Sequence, residues 1–229
     1  MLAHSAGAPS VPRRRILGWC TGGYLLAVFV GIAFALILRG AGNWLDGFSW
    51  EHDVLRAVNA VVLPSWGDTV LLYLPWFGTN ITLLPAVVVA AIWLAWRGRR
   101  MLAVHILVVQ IGAFTMNPLV KTFFDRPRPT LWEWRGQFAW ASYPSGHAIA
   151  SVAVPFTIAV LLWRERGWRW PFAVAGGMLV ITAYSRLYLG VHWPTDVIGG
   201  LVMGAVWLVA TLIAFRSGAS GSVRELDRP

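Results

Sequence analysis

The sequence predicts an all-α integral membrane protein, a bundle of six transmembrane helices, and three observations lead to this fold class. Of its 229 residues, 57% are hydrophobic and only 13% are charged, whereas a soluble domain would carry about a quarter charged residues. The hydrophobic residues fall in six runs, and about 20 apolar residues suffice for a helix to cross a bilayer. The chain also has 15 tryptophans, a residue that collects where hydrocarbon meets water.

The predicted spans follow one another along the chain with short connections. They cover Ile16 to Leu38, near Phe77 to Trp96, Met101 to Leu119, His147 to Trp163, Pro171 to Tyr188 and Val197 to Phe215. The segment from Thr69 to Trp76 is interpreted as interfacial, because proline and glycine interrupt the apolar pattern that follows it. The membrane domain is therefore expected at residues 16–215, between tails at 1–15 and 216–229.

Basic residues predict the orientation of this bundle. Arginines cluster before the first span, between the second and third, between the fourth and fifth, and after the sixth. These clusters are Arg13 to Arg15; Arg97, Arg99 and Arg100; Arg164, Arg166 and Arg169; and Arg216 with Arg224. All four lie on one side of a six-span bundle, which the positive-inside rule assigns to the cytoplasm. We therefore expect a multi-pass protein of the cell membrane with both termini in the cytoplasm. Topology also accounts for the net charge of +9, so no nucleic-acid partner is predicted.

One predicted outer segment carries basic residues that topology does not explain. It begins "KTFFDRPRP", from Lys121 to Pro129, and its two prolines keep the chain extended. A cation that reaches from a helix end to the interface would explain Lys121 alone. Such an interfacial role does not explain Arg126 and Arg128, which lie in the stiffened strip. An anion is the partner that these charges suit.

The motif "PSGH", from Pro144 to His147, stands where the fourth span begins. Ser145 can act as the N-cap of that helix. The N–H groups of the first turn, including that of Gly146, have no partner within the helix. A helix N-terminus with open N–H groups and a glycine is suited to bind an anion.

A third motif, "SRLYLGVHWPTD", connects the last two spans, from Ser185 to Asp196. Arg186 ends the fifth span, His192 lies in the outer loop, and Asp196 lies in the first turn of the sixth helix. The step of four residues lets the carboxylate of Asp196 reach one nitrogen of the His192 ring. The other nitrogen then keeps its lone pair, as a nucleophilic histidine requires.

Together these loops place three cations, two histidines and a carboxylate at one predicted outer face. This set suits phosphoryl transfer, in which Lys121, Arg128 and Arg186 would neutralise the non-bridging oxygens. One histidine would attack phosphorus and the other would protonate the leaving oxygen. The histidines have no cysteine or carboxylate cluster at metal-ligand spacing, so neither a metal nor another cofactor is predicted.

At these residues the sequence resembles the type-2 phosphatidic acid phosphatase family, which is related to the vanadium haloperoxidases. The resemblance rests on Lys-x6-Arg-Pro from Lys121, on Pro-Ser-Gly-His from Pro144, and on Ser-Arg-x5-His-x3-Asp from Ser185. It implies a six-helix membrane fold and metal-independent hydrolysis through a phosphohistidine. By this resemblance, His192 is the nucleophile, Asp196 orients it, and His147 is first the acid and then the base. The resemblance also implies that the phosphoryl group is held by Lys121, Arg128, Ser145, Gly146 and Arg186.

The expected substrate is a membrane lipid phosphate or diphosphate, reached from the outer leaflet. Undecaprenyl diphosphate, phosphatidylglycerol phosphate and phosphatidic acid are the candidates. A phosphotransferase that passes the group to another lipid and an anion transporter are the alternatives; a haloperoxidase is expected to be soluble. The oligomeric state stays open, as does the role of the amphipathic outer segment from Ser49 to Val62.

Overall fold

The computed structural model describes residues 13–61, 63–73, 80–133 and 141–216, and within these ranges the chain forms eight helices and no strand. The helices are α1 (Arg13–Gly40), α2 (Ser49–Asn59), α3 (Ser65–Tyr73), α4 (Asn80–Trp96), α5 (Arg100–Lys121), α6 (Gly146–Arg166), α7 (Trp170–Tyr188) and α8 (Pro194–Ala214). The predicted all-α class is confirmed for the part of the chain that these ranges cover.

Four of these helices are long and apolar enough to cross a membrane, namely α1, α5, α6 and α8. A shorter apolar helix, Thr82–Trp96, forms most of α4. Helix α7 has 19 residues, which corresponds to about 28 Å at the rise of an α-helix. The chain is therefore a multi-pass membrane protein, and a total of six spans stays a prediction.

The ends of the helices differ from the ends of the apolar runs. Helix α1 already includes Arg13, three residues before the predicted span, and α5 continues through Lys121. Backbone hydrogen bonds carry a helix past the hydrocarbon, where charged residues are tolerated. Helix α4 begins at Asn80, whereas Phe77 and the end of the interfacial segment lie outside the described residues; Thr69 to Tyr73 belong to α3.

The core of the bundle is formed where α8 packs against α1 and α6, with α5 closing the same group. Small residues allow α6 and α8 to approach closely. A Cβ atom on Gly200 would lie 2.5 Å from the carbonyl oxygen of Ser145, and one on Gly204 would lie 2.7 Å from that of Ile149. At the end of this contact the amide of Ser145 donates to the carbonyl of Asp196 at 3.0 Å. The beginnings of α6 and α8 are thus fixed to each other.

Two short helices, α2 and α3, cover the end of the bundle at which α8 begins. Helix α2 packs on α7 and α8, and α3 packs on α7. The predicted amphipathic segment forms α2, and its inward face buries Glu51 and Leu55, which are one turn apart and have no exposed area. A carboxylate on the apolar face of a helix requires a partner, which the site below supplies.

Candidate active site

The three sequence motifs meet at the end of the bundle where α5 and α7 end and α6 and α8 begin. Nη1 of Arg186 lies 3.4 Å from Nε2 of His147, and Nη1 of Arg128 lies 3.4 Å from Nε2 of His192. These two contacts join residues from different motifs. The backbone hydrogen bond from Ser145 to Asp196 also connects the second motif with the third. The structure thus brings the predicted site residues to one place.

His192 is held with one ring nitrogen toward a carboxylate and the other toward a cation. Its Nδ1 lies 3.5 Å from Oδ2 of Asp196, and its Nε2 faces Arg128. Because arginine has only donors, Nε2 is the acceptor in this contact, and the proton of the neutral ring is on Nδ1. The orientation of the ring fits the tautomer that the spacing predicts, but Nδ1 makes no hydrogen bond within the described residues.

The surroundings of His192 keep its ring neutral. Only 4% of its surface is exposed, and this burial is the main cause that lowers its pKa well below the usual value. The positive charges of Arg128, Lys121 and Arg186 lower the pKa further. A neutral imidazole with its lone pair at Nε2 is the form that can attack an electrophile.

The position of Asp196 follows from the start of α8. Helix α8 begins at Pro194, where the missing N–H costs nothing. Asp196, two residues further on, accepts a hydrogen bond from the amide of Trp193 at 2.8 Å through Oδ2. This bond is one half of a capping box, and it orients the oxygen that faces His192.

Arg186 is anchored by its neighbour in the sequence. Its Nη2 donates to Oγ of Ser185 at 2.9 Å, and the Ser185 hydroxyl donates to the carbonyl of Leu71 in α3 at 2.5 Å. Nε of Arg186 is buried and has no hydrogen-bond partner among the described residues. The guanidinium therefore retains donor capacity beside His147.

The start of α6 differs from the prediction in one respect. Ser145 occupies the N-cap position, but its hydroxyl makes no capping hydrogen bond and has no partner in the described part of the chain. A Cβ atom on Gly146 would lie 2.4 Å from Nδ2 of Asn117, so the Asn117 side chain of α5 lies directly against this turn. Asn117 was missed as a neighbour of the site, because in the sequence it is one polar residue within an apolar span.

The other two predicted phosphate ligands are tied to the loops around the histidines. Nζ of Lys121 donates to the carbonyl of Ala141, and Nη1 of Arg128 donates to that of Val191. Burial lowers the pKa of Arg128, and the carboxylate of Asp196 opposes this change. Positive charges that lie close together in a buried site repel one another and disfavour the charged forms. A bound anion would relieve this repulsion.

The arrangement as a whole can move a phosphoryl group between a nucleophile and a leaving group. It combines a neutral imidazole, a second histidine beside Arg186, and donors with capacity to spare. Within the described ranges no three His, Cys, Asp or Glu side chains are placed to hold one metal ion. The positive side chains of Lys121, Arg128 and Arg186 are suited to bind an anionic substrate.

Comparisons with known proteins agree with this chemistry. The family model of the PAP2 superfamily matches residues 101–217, just over half of the chain. An undecaprenyl-diphosphatase of Sulfolobus acidocaldarius is 25% identical over 218 residues, which cover 89% of this chain and 94% of that protein. Phosphatidylglycerophosphatase B of Bacillus subtilis is 27% identical over 176 residues, covering 75% of this chain and 86% of that protein. The crystal structure of a transmembrane PAP2-type phosphatidylglycerolphosphate phosphatase from Bacillus subtilis shares the fold, with a TM-score of 0.67 at 22% identity over 87% of this chain and 96% of that one.

Proposed function

This chain belongs to the PAP2 superfamily, and from that premise we propose that it hydrolyses the phosphate or diphosphate group of a membrane lipid through a phosphohistidine. It is a phosphatase, as its named relatives are. The observation that carries the proposed mechanism is the pair of contacts at 3.4 Å, in which the Nε2 atoms of His192 and His147 each face an arginine that also suits a phosphoryl oxygen.

In the first step Nε2 of His192 attacks phosphorus, and the bond between phosphorus and the lipid oxygen breaks. His147, protonated when the anionic substrate binds, gives its proton to the departing oxygen. The charge that develops on the His192 ring is stabilised by Asp196 at Nδ1. Lipid alcohol, or lipid monophosphate from a diphosphate, is released, and the phosphoryl group stays on Nε2.

In the second step His147 accepts a proton from water as the water oxygen attacks phosphorus. The bond to Nε2 of His192 breaks, inorganic phosphate leaves, and His147 is again protonated. Lys121, Arg128, Arg186 and the amide of Gly146 bind the non-bridging oxygens in both steps. Their role replaces the charge neutralisation that Mg²⁺ provides at many phosphoryl-transfer sites.

We place the site on the outer side of the cell membrane, facing the outside or the periplasm. The support is the predicted orientation, in which α4 and α7 complete six spans and the arginine clusters lie in the cytoplasm. A lipid with an isoprenyl or acyl tail suits such a site. Undecaprenyl diphosphate and phosphatidylglycerol phosphate are the leading substrates, because relatives that cover most of this chain are named for them, and phosphatidic acid is the third.

A panel assay tests this function. The purified protein in detergent is given the three lipids separately, and inorganic phosphate is measured with and without EDTA. We expect release from at least one lipid, unaffected by EDTA and inhibited by vanadate. Loss of activity in EDTA that Mg²⁺ restores would contradict the assigned role of the cations. Phosphate that appears on an added lipid acceptor, without release, would show a phosphotransferase, and no turnover of any of the three lipids would contradict the proposed substrates.

A further inference from the structure

A buried ionic cluster adjoins His192, and of its members only Asp196 takes part in the steps above. At its centre, Arg126 donates through Nη1 to Oδ1 of Asp196 at 2.7 Å and through Nη2 to Oε2 of Glu51 at 2.8 Å. Its Nε donates to the carbonyl of Trp44 at 2.8 Å. The hydroxyl of Thr195 lies 2.7 Å from Nη1 of Arg126 and 2.7 Å from Oε1 of Glu51. The side chains of Arg126, Glu51 and Asp196 have no exposed area.

Glu51 is fixed in this cluster by both of its oxygens. Oε2 also accepts from the amide of Phe48 at 3.0 Å, and Oε1 accepts from the amide of Thr195 at 3.1 Å. Four donors from three separate segments therefore hold one carboxylate, which belongs to α2. Glu51 and Asp196 each stand two residues after the first residue of their helix. Each carboxylate accepts a hydrogen bond from the amide of the residue that precedes the helix, Phe48 or Trp193. The two helix beginnings thus converge on Arg126.

The charges of the cluster determine what Asp196 can offer to His192. If Asp196 were the sole carboxylate partner of Arg126, the pair would be neutral, and little negative charge would remain for the ring. With Glu51 on the other side, one cation is shared by two carboxylates, and the cluster retains a net negative charge. In a site with little water this charge is weakly screened. It lies where the His192 ring becomes positive during attack.

We propose that Glu51 is a positioning residue for the reaction: acting through Arg126, it orients Asp196 and leaves its charge available to His192. This inference rests on the proposed function, in which His192 is the nucleophile. It also assigns a role to α2, the amphipathic outer helix, whose docking on α7 and α8 then determines the state of the catalytic histidine.

A purely structural role is the competing explanation, because the loss of one partner from a buried ion pair destabilises a protein. The two roles differ in how Glu51 interacts with Asp196. A residue that acts only through Asp196 has nothing left to contribute once that carboxylate is gone. A residue that only supports the fold lowers activity by the same factor whether or not the carboxylate is present.

The test is a double-mutant cycle with Glu51→Gln and Asp196→Asn, measured as kcat and KM for the lipid that the panel assay identifies. We expect Glu51→Gln alone to lower kcat by about 10- to 100-fold, the range known for residues that orient the ligands of a metal site, with KM within about twofold. In the Asp196→Asn background the same change should alter kcat by less than about threefold. Leu55→Val is the matched control, since Leu55 is an apolar residue one turn further on the same buried face. Its melting temperature should fall while kcat is retained.

A second variant covers the case in which Glu51→Gln does not fold. Thr195→Val keeps the shape of the side chain and removes the hydroxyl between Glu51 and Arg126. Thr195→Val should lower kcat less than Glu51→Gln does. In the Asp196→Asn background it should leave kcat unchanged. The inference would be overturned if, in either cycle, the double variant lost kcat by the product of the two single-variant factors. It would also be overturned if Glu51→Gln did not fold and Thr195→Val kept full activity. A His192→Ala protein that remained active would instead overturn the proposed function, independently of these cycles.

Discussion

At the scale of single residues, the proposed binding of the phosphoryl group depends on how Arg186 presents its donors. Nη1 faces His147 at 3.4 Å, Nη2 is held by Ser185 at 2.9 Å, and Nε is the buried donor without a partner in the described structure. A planar fork of donors can bind two phosphoryl oxygens at once, whereas an ammonium group is a point charge.

Changing Arg186→Lys should therefore cost much of the activity although the charge is kept. We expect kcat to fall by about 10²-fold or more, the effect of removing one donor that stabilises a transition state. Arg166→Lys is the control, because Arg166 is exposed at the opposite end of α6. Steady-state phosphate release from both variants checks the prediction, and equal rates would contradict the role given to the guanidinium.

The sequence could predict that the site residues meet at one end of the bundle, because each lies within a short motif whose spacing has a chemical meaning, and their catalytic roles stay a prediction. The step from His192 to Asp196 is one turn, and it does place Oδ2 at 3.5 Å from Nδ1. Glu51 could not be found in this way, because its partners Arg126 and Thr195 are 75 and 144 residues away. The available signal was local: a carboxylate one turn before Leu55, on the face of α2 that otherwise buries apolar side chains.

At the scale of helices, the site depends on the close contact between α6 and α8. Gly200 lies where a Cβ atom would meet the backbone of Ser145 at 2.5 Å, and a backbone atom cannot move aside as a side chain can. The sequence shows glycines in several predicted spans, but hydropathy does not tell which of them face a neighbouring helix. The contact between Gly200 and Ser145 could therefore be identified only from the structure.

The change Gly200→Ala should separate the two helix beginnings and with them Ser145 and Asp196. We expect a loss of about 1–3 kcal/mol in the free energy of unfolding, the usual cost of overpacking, and a clear loss of kcat at temperatures where the protein remains folded. Gly177→Ala in α7 is the control, since a Cβ atom there meets nothing within 4 Å. Thermal unfolding in detergent and phosphate release measure both effects; a Gly200→Ala protein as stable and active as the control would refute this packing argument.

At the scale of the whole molecule, the site and those arginines of the four clusters that the structure describes lie at opposite ends of the helices. Arg99 pairs with Glu165 at the end where α5 begins and α6 ends, whereas the site lies where α5 ends and α6 begins. Composition and charge could predict this separation, because the length of the apolar runs and the distribution of arginines between the two sides are both determined by the bilayer. The sequence also predicts that α4 and α7 cross the bilayer, and this part stays a prediction, because neither helix is among the four that are long and apolar enough to do so by length and hydropathy.

Reporter fusions test the predicted orientation. A reporter that is active only in the cytoplasm should work when fused after Gly98, between α4 and α5, and should be silent when fused after Glu133. A reporter active only outside should show the reverse pattern. Cytoplasmic activity at Glu133 would place the site on the inner side and remove the outer-leaflet substrate from the proposal.

The phosphohistidine is the central claim, and trapping it in a His147→Ala enzyme tests it most directly. Nitrophenyl phosphate leaves as a stable anion, so its attack by His192 should be spared the loss of acid catalysis, which is typically worth about 10²–10⁴-fold. Removal of the phosphoryl group still needs His147 to activate water. With labelled nitrophenyl phosphate, we predict a burst of nitrophenol equal to the amount of enzyme, then a stall, with acid-labile phosphate on His192. A burst or a label from the His192→Ala protein, or no trapped phosphate in His147→Ala, would contradict the account.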